Sequence, residues 1–286
     1  MECLVPAILA KQKKSAPPAP VAKASIPSSL NKVVVVDQRP LSGSPRSTPA
    51  TTTKMMDRIR KLYATTAVAK VNGWGPGRFS YNAATGRCPH CEGRGFTLVE
   101  MHFLSDVWVL CEQCKGKRYN AATLSARWKG LSIADVLDLR VEQAIAFFSA
   151  HRSIRRVLEA MRDVGLGYLK LGQSVTTLSG GESQRLKLAR ELSGKTEDVV
   201  YVLDEPTTGL HMDDVAKLVQ VLQTMVNAGA TLVVIEHHPE LIANADHIID
   251  VGPEGGSGGG HVVAIGTPEQ VACSGTPTGH ALAPLF

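Results

Sequence analysis

The sequence predicts an α/β domain with a largely parallel sheet and a four-cysteine insertion. Three observations predict this class. From Gly181 onward, short apolar runs alternate with amphipathic stretches, the pattern of strands and helices in a parallel sheet. Two of the apolar runs, Val199–Leu203 and Thr231–Ile235, are directly followed by residues with carboxylate or histidine side chains. Upstream of them lie two Cys-x-x-Cys pairs.

Length and composition set the broad class. The chain has 286 residues, enough for one large domain or two moderate ones, and 44% of them are hydrophobic. The net charge of +5 suits a nucleic-acid partner without requiring one. No apolar run approaches the roughly 20 residues that span a bilayer, and the opening MECLVPAILAKQKK places its positive charges after its apolar part, the reverse of a secretory signal. We therefore expect a cytoplasmic protein without a membrane partner.

Composition and periodicity divide the chain into five predicted segments. Residues 1–32, rich in Lys, Ala, Pro and Ser, are predicted to be disordered. The β-branched run Val33–Val36 predicts a buried strand that ends at Asp37-Gln38. The remaining segments are the first part of the α/β domain (33–70), the cysteine insertion (71–125), a helical part (126–177) and the second part of the α/β domain (178–286).

Local patterns order the elements within these segments. The apolar stretch Phe96–Leu110 between the cysteine pairs predicts a hairpin. The predicted helices cover Met55–Thr66, Ile133–Ser149, Ser153–Val164, a stretch from Gly181 to about Leu192, 213–227, 239–244 and 267–273. The predicted strands of the second part cover 199–203, 231–235 and 247–251.

The cysteine pairs predict a structural zinc site. The four candidate ligands are Cys88, Cys91, Cys111 and Cys114. Four thiolates suit tetrahedral Zn²⁺ and leave no open position for catalysis; free or redox-active thiols are the alternative. His90 is a candidate ligand only if a cysteine fails, and is otherwise a loop residue. Basic residues flank the pairs, and the charge pattern fits contact with phosphates and ordinary solvated charge equally well: Arg87, Arg94, Lys115, Lys117 and Arg118.

A helix start downstream of the insertion carries the features of an anion site. Residues 178–185 read Leu-Ser-Gly-Gly-Glu-Ser-Gln-Arg. Exposed N–H groups and the helix dipole favour an anion at Ser179, Gly180 and Gly181, because glycines allow close approach and Ser179 adds a hydroxyl.

Polar side chains follow three strand-like runs. Asp204 and Glu205 come at the carboxyl end of one apolar run, His237 follows the next, and Gln38 follows Val33–Val36. Parallel sheets bind ligands at this edge. Asp204 suits Mg²⁺ held through water, and Glu205 suits a general base that orients an attacking water. His237 suits a hydrogen bond to a γ-phosphate, and Gln38 suits contact with the metal or the water.

A usable phosphate-binding loop does not precede these segments. Residues 189–196, Ala-Arg-Glu-Leu-Ser-Gly-Lys-Thr, fit a loose form of that motif. In a working loop a strand precedes and a helix follows, so that the helix N-terminus meets the phosphate. Here the order is reversed, and we expect the Gly194-Lys195 turn to lie at the negative end of a helix.

Together these residues resemble the C-terminal half of the UvrA family, the ABC-type damage-recognition ATPases of bacterial nucleotide excision repair. The segments correspond to the signature, Walker B and switch-histidine motifs, and the resemblance runs from about Val33 to Ala272. Further matching stretches are Asp37-Gln38, 45–47, 77–80, 116–120, 164–168, 204–211 and 252–256. Residues 1–32 and the Arg39–Ser44 stretch depart from the family pattern.

The resemblance implies a composite ATP site. One half of such a protein supplies the phosphate loop, Walker B segment, Gln and His, and the other half supplies the signature. Ser179–Gly181 would therefore complete a site whose phosphate loop lies elsewhere. Gln38, Asp204, Glu205 and His237 would serve a loop expected before Val33. The expected cofactors are structural Zn²⁺ and, in the composite site, ATP with Mg²⁺.

The resemblance also implies partners and leaves three functions open. The expected partners are double-stranded, damaged DNA, UvrB-like and full-length UvrA-like proteins, and a second copy of the chain. The first function is ATP-dependent recognition of damaged DNA. The second is that of a truncated, hydrolysis-deficient DNA-binding or regulatory paralogue, which the missing loop favours. The third, the nucleotide-binding subunit of a transporter, fits poorly with the cysteine insertion.

Overall fold

The structure, a computed structural model, describes residues 4–12, 15, 21, 23, 25, 30, 32–41, 43–99, 101, 107–194, 197–254 and 256–286. The chain forms two compact units. We call Met1–Gln38 with Thr196–Phe286 the sheet unit, and Arg39–Lys195 the cysteine unit. No helix among the described residues combines the length and apolar character that crossing a bilayer requires.

The described elements follow the predicted alternation. The strands are β1 (Lys32–Val36), β2 (Phe96–Val99), β3 (Val107–Leu110), β4 (Arg127–Trp128), β5 (Leu131–Ser132), β6 (Val199–Asp204), β7 (Thr231–Ile235), β8 (Ile248–Gly252) and β9 (His261–Gly266). The helices are α1 (Leu4–Gln12), α2 (Pro49–Thr52), α3 (Met55–Tyr63), α4 (Ala67–Val71), α5 (Ala121–Ser125), α6 (Ile133–Asp138), α7 (Val141–Phe147), α8 (Arg152–Met161), α9 (Gly180–Leu192), α10 (Met212–Asn227), α11 (Pro239–Ile242), α12 (Pro268–Ala272) and α13 (Pro277–Leu282).

A three-stranded parallel sheet forms the centre of the sheet unit. Its order is β1-β6-β7, with Val36 opposite Leu203 and Asp204 opposite Ile235. The central strand β6 is buried from Val199 to Leu203, as its uninterrupted apolar run predicts. The predicted burial of Val33–Val36 is wrong except at Val36, because β1 pairs on one side only in the described sheet. The parallel register brings the carboxyl ends of the strands to one edge.

The N-terminal helix differs from the predicted disorder of residues 1–32. Helix α1 buries Ala7 and Ile8, and Ile8 packs against Val200 and Val202 of β6. The stretch LVPAILA is apolar enough to gain from this burial, which the Lys/Pro-rich composition of the following residues obscured. Most of 13–31 lies outside the described residues.

The end of the sheet unit is an antiparallel pair with two short helices. Strands β8 and β9 pair with Ile248 opposite Gly266, and a register shift falls between Asp250 and Val251. Ile248 forms a small core with Val271 of α12 and Leu282 of α13. The predicted strand 247–251 and helix 267–273 are confirmed within a residue or two.

The cysteine unit is helical around a buried aromatic and aliphatic core. Its largest fully buried side chains include Tyr63, Phe79, Ile133, Leu158 and Met161. The predicted hairpin is confirmed, since β2 and β3 are antiparallel with Phe96 opposite Leu110. The helix predicted over Ile133–Ser149 is wrong in its continuity, because α6 ends at Asp138 and α7 begins at Val141.

Candidate functional site

Four predicted site residues lie at the carboxyl edge of the parallel sheet. The Gln38 amide donates from Nε2 to Glu205 Oε2 at 3.4 Å and to the Thr208 hydroxyl at 3.3 Å. His237 Nδ1 lies 4.0 Å from Glu205 Oε1. Asp204 is the last residue of β6 and therefore lies at the same edge. The predicted convergence of Gln38, Asp204, Glu205 and His237 at one sheet edge agrees with these positions.

The backbone turns sharply at Glu205. Its φ is 46°, the left-handed region that non-glycine residues rarely adopt, and its N–H donates to the Ile235 carbonyl at 2.8 Å. This bond adds Glu205 to the β6–β7 ladder while the chain already leaves the strand direction. The Glu205 side chain is 45% exposed and that of His237 is 77% exposed, so both can reach a ligand from solvent.

Sequence reasoning missed Glu236, which lies between β7 and His237. Its side chain is only 2% exposed. Oε1 accepts hydrogen bonds from the Thr207 N–H at 3.0 Å and from the Thr207 hydroxyl; Oε2 accepts from the N–H groups of His237 at 2.7 Å and His238 at 3.1 Å. The signal available in the sequence was that the carboxylate of Glu236 directly precedes His237, a residue predicted to bind ligand.

The environment of Glu236 favours its ionised form. Burial alone raises the pKa of the carboxyl group, but the hydrogen bonds from Thr207, His237 and His238 outweigh burial and hold the pKa below its ordinary value. Glu236 is therefore a hydrogen-bond acceptor at neutral pH.

The signature turn belongs to the cysteine unit. Ser179 is the N-cap of α9: its hydroxyl accepts from the Glu182 N–H at 3.2 Å, and Glu182 Oε2 accepts from the Ser179 N–H at 2.8 Å. Glu182 also accepts a hydrogen bond from the Tyr168 hydroxyl. Gly180 and Gly181 form the first turn, so their N–H groups are at the positive end of the helix. The predicted helix start is confirmed, with the Ser179 hydroxyl engaged in the cap.

The loose phosphate-loop motif lies at the wrong end of a helix. Residues 189–192 are the last residues of α9, and the Gly194 N–H donates to the Glu191 carbonyl at 2.9 Å. Lys195 and Thr196 lie outside the described residues. The reversed polarity predicted for this segment is confirmed as far as Gly194.

The four cysteines converge in the cysteine unit. Their sulfurs all lie within 4.8 Å of one another, with Cys88 Sγ 3.9 Å from Cys111 Sγ and Cys91 Sγ 3.5 Å from Cys114 Sγ. Sulfurs bound at about 2.3 Å around a tetrahedral Zn²⁺ lie roughly 3.8 Å apart, so the cluster fits this ion. All four side chains are buried. His90 is exposed and is absent from the metal-competent cluster among the described residues.

The two Cys-x-x-Cys segments repeat one backbone geometry. After the second cysteine of each pair comes a left-handed residue, Glu92 with φ 51° or Lys115 with φ 47°, followed by Gly93 or Gly116, each with φ 81°. The N–H of Cys111 donates to the Gly95 carbonyl at 3.0 Å and links the two segments. The glycine after each pair is thus required by the turn.

The basic residues of the insertion have different surroundings. Arg118 is buried, donates to the Gly172 carbonyl at 3.1 Å and lies over the Tyr81 ring. Both predictions for this residue, contact with phosphates and an ordinary solvated charge, are therefore wrong. Lys115 and Lys117 are exposed. Among the described residues of the insertion, Arg87 and Arg94 both form ion pairs with Glu92.

Comparisons with known proteins give a consistent relationship. A sequence model of the family described as "ABC transporter" matches residues 94–208. The UvrABC system protein A of Aquifex aeolicus is 59% identical over 244 residues, which is 85% of this chain and 26% of the relative. The protein of the same name from Thermus thermophilus is 57% identical over 255 residues, 89% of this chain and 27% of the relative.

A solved structure agrees with these relatives. UvrA2 from Deinococcus radiodurans matches with a TM-score of 0.85 and 47% identity, covering 91% of this chain and 32% of that chain. This chain therefore spans only about a quarter of the length of the curated relatives it matches. Most of it is a UvrA-like region with an ABC-type α/β fold, which confirms the resemblance and the fold class predicted from the sequence.

Proposed function

We propose that this chain supplies part of the ATP-hydrolysing machinery of a UvrA-like protein that recognises damaged DNA in nucleotide excision repair. The observation that carries the proposal is the meeting of Gln38, Glu205 and His237 at the carboxyl edge of the parallel sheet. Ligands bind α/β sheets at this edge. Two relatives named UvrABC system protein A, at 57–59% identity, support a function in repair over the transporter alternative.

The side chains at the sheet edge have complementary roles in this proposal. Glu205 orients a water molecule and takes its proton as the water attacks the γ-phosphorus, and ADP leaves. His237 donates a hydrogen bond to the γ-phosphate, and Gln38 contacts the metal or the water. Asp204 would hold Mg²⁺ through water, and that ion would neutralise charge on the β- and γ-phosphates.

The other motifs complete the proposal. The start of α9 at Ser179, Gly180 and Gly181 binds the nucleotide of a composite site whose phosphate loop lies elsewhere, because its N–H groups and dipole favour an anion. The four cysteines hold a structural Zn²⁺ that stabilises the insertion. The proposed partners are double-stranded, damaged DNA, UvrB-like and full-length UvrA-like proteins, and a second copy, in the cytoplasm.

The test places residues of this chain in a full-length relative. Residues 33–272 replace the matching region of the Aquifex aeolicus relative, and the other composite site is silenced by alanine at its phosphate-loop lysine. We expect Glu205→Gln to lower steady-state phosphate release from ATP about 100-fold or more while nucleotide affinity is retained, because only the base is removed. Asp246→Asn, which changes an exposed carboxylate of the sheet unit, is the matched control.

Three outcomes separate the functions. Hydrolysis at this site is supported if Glu205→Gln abolishes turnover and Asp246→Asn leaves it intact. Unchanged turnover in Glu205→Gln removes Glu205 from the role of base. A parent chimera that binds damaged DNA without hydrolysing ATP favours the hydrolysis-deficient DNA-binding or regulatory alternative.

A further inference from the structure

Glu236 is a buried carboxylate that the proposed chemistry does not use. Its side chain is 2% exposed, whereas that of its neighbour His237 is 77% exposed. Burying an ionised carboxylate is costly unless hydrogen bonds replace its water. A buried charge beside the proposed ligand-binding edge therefore depends on hydrogen bonds from its neighbours.

The two oxygens of Glu236 bind two different segments. Oε1 accepts both hydrogen bonds from Thr207, which lies two residues after Glu205. Oε2 accepts the backbone N–H groups of His237 and His238. One carboxylate thus ties the turn that follows Glu205 to the turn that carries His237.

Only an ionised carboxylate fits this position. The four groups that hydrogen-bond to it are all donors, and a carboxylate has acceptor sites for all of them. A glutamine of the same shape would direct its NH₂ group at N–H donors on one side. Thr207 is itself buried, so its lost partner could not be replaced readily by bulk water.

The side-chain contacts of the two reactive groups are long. Glu205 Oε2 accepts from Gln38 at 3.4 Å and from Thr208 at 3.5 Å, and His237 Nδ1 lies 3.7 Å from Glu236 Oε2. Glu205 and His237 are 45% and 77% exposed, and the 4.0 Å between Glu205 Oε1 and His237 Nδ1 is too long for a direct hydrogen bond. Their separation is set by the backbone turns on which they are carried. Those turns meet at the Glu205 N–H bond to Ile235 and at the Glu236 carboxylate.

We infer that Glu236 is a positioning residue for ATP hydrolysis, which holds the turn after Glu205 and the turn of His237 at the spacing that the attacking water and the γ-phosphate require. This inference rests on the proposed function. It assigns Glu236 no contact with substrate. It makes the Thr207 hydroxyl the partner through which the carboxylate acts.

The experiment uses the chimera described above and measures kcat, KM for ATP and thermal unfolding. We expect Glu236→Gln to lower kcat between about 10-fold and 100-fold with KM within about 2-fold, since small displacements of reacting groups cost this much. Thr207→Val, which removes only the hydroxyl donor, is expected to lower kcat about 5-fold, and Thr207→Ser to recover most of that loss. The double variant Glu236→Gln/Thr207→Val should be no slower than Glu236→Gln alone, because both changes break one link.

The controls distinguish this inference from the proposed function. If Glu205→Gln leaves turnover intact, the proposed function fails. If Glu205→Gln abolishes turnover but Glu236→Gln and Thr207→Val leave kcat unchanged, only the positioning role is overturned. It is also overturned if Glu236→Gln merely lowers the unfolding temperature and the folded fraction keeps its kcat, or if the losses of Glu236→Gln and Thr207→Val add independently. If Glu236→Gln does not fold, Thr207→Val and Thr207→Ser decide the question alone.

Discussion

At the scale of single residues, the glycines after the cysteine pairs show how a short motif depends on backbone geometry. Gly93 has φ 81°, and a Cβ built there would lie 1.9 Å from the Tyr81 carbonyl oxygen. Gly73 also has a positive φ, 65°, but a Cβ there would meet no atom within 4 Å. A side chain at Gly73 would meet only conformational strain, whereas one at Gly93 would meet both strain and a steric clash.

We predict that Gly93→Ala lowers the free energy of unfolding far more than Gly73→Ala does. Left-handed strain alone costs about 1–2 kcal/mol, which is the loss expected at Gly73. At Gly93 the clash with backbone adds a further loss of about 1–3 kcal/mol, because the Tyr81 carbonyl cannot rotate away like a side chain. Denaturant unfolding of both variants with zinc present measures the difference; equal losses would contradict the steric argument.

Single-residue predictions from the sequence were strongest where chemistry repeats in a short window. The convergence of the four cysteines was predictable, because Cys-x-x-Cys spacing brings two sulfurs together within one turn. The contacts of Glu236 were not predictable, since they depend on Thr207, which lies on another turn 29 positions away. The burial of Arg118 depends similarly on the Gly172 carbonyl, 54 positions away.

At the scale of elements, long periodic patterns were predictable and their interruptions were not. Strand β6 and helix α10 agree with their predicted ranges within one residue. No glycine or proline in the sequence marks the break between α6 and α7. It forms because the Leu137 and Leu139 carbonyls accept hydrogen bonds from the N–H groups of Gly172 and Leu171. Tertiary partners thus replace the helical ones, which no local pattern reveals.

The cysteine insertion is the element whose stability we expect to depend on a metal. We predict that Cys88→Ser removes bound zinc and unfolds the insertion, because three thiolates hold the ion more weakly and the free energy of metal binding contributes to folding. Cys273→Ser is the matched control, since Cys273 is exposed and lies outside the cluster. Zinc content per chain and far-UV circular dichroism are the measurements. Unchanged zinc content in Cys88→Ser would make the four-cysteine site wrong.

At the scale of the whole molecule, carboxylates with lowered pKa values occur in both compact units. Asp135 and Glu182 lie in the cysteine unit, and Glu236 lies in the sheet unit. For each, burial raises the pKa of the carboxyl group, but hydrogen bonds from its neighbours bring the pKa below its ordinary value. Asp135 and Glu182 accept from the serines that cap α6 and α9. The same acceptor chemistry is therefore found at two helix starts in one unit and at the turns after β6 and β7 in the other.

This shared property predicts that the chain loses stability on acidification. A carboxyl group whose folded pKa lies below its unfolded value contributes stability that is fully present above the unfolded pKa, and loses it as pH falls through the folded pKa. The ordinary pKa of the two glutamates is 4.5 and that of Asp135 is 3.8. We therefore expect the free energy of unfolding to be insensitive to these groups near pH 7 and to fall progressively below about pH 4.5.

Glu182→Gln provides the specific test of this origin. At pH 7 the variant should be less stable than the parent, because the amide is a poorer acceptor for the Ser179 N–H and the Tyr168 hydroxyl. As pH falls through the folded pKa of Glu182, the parent loses this advantage and the two stability curves should converge, since glutamine does not titrate. Denaturant unfolding at several pH values between 7 and 3 measures both curves. A gap that stays constant across this range would show that the α9 cap does not depend on the ionised carboxylate, and would leave burial and packing to account for the helix start.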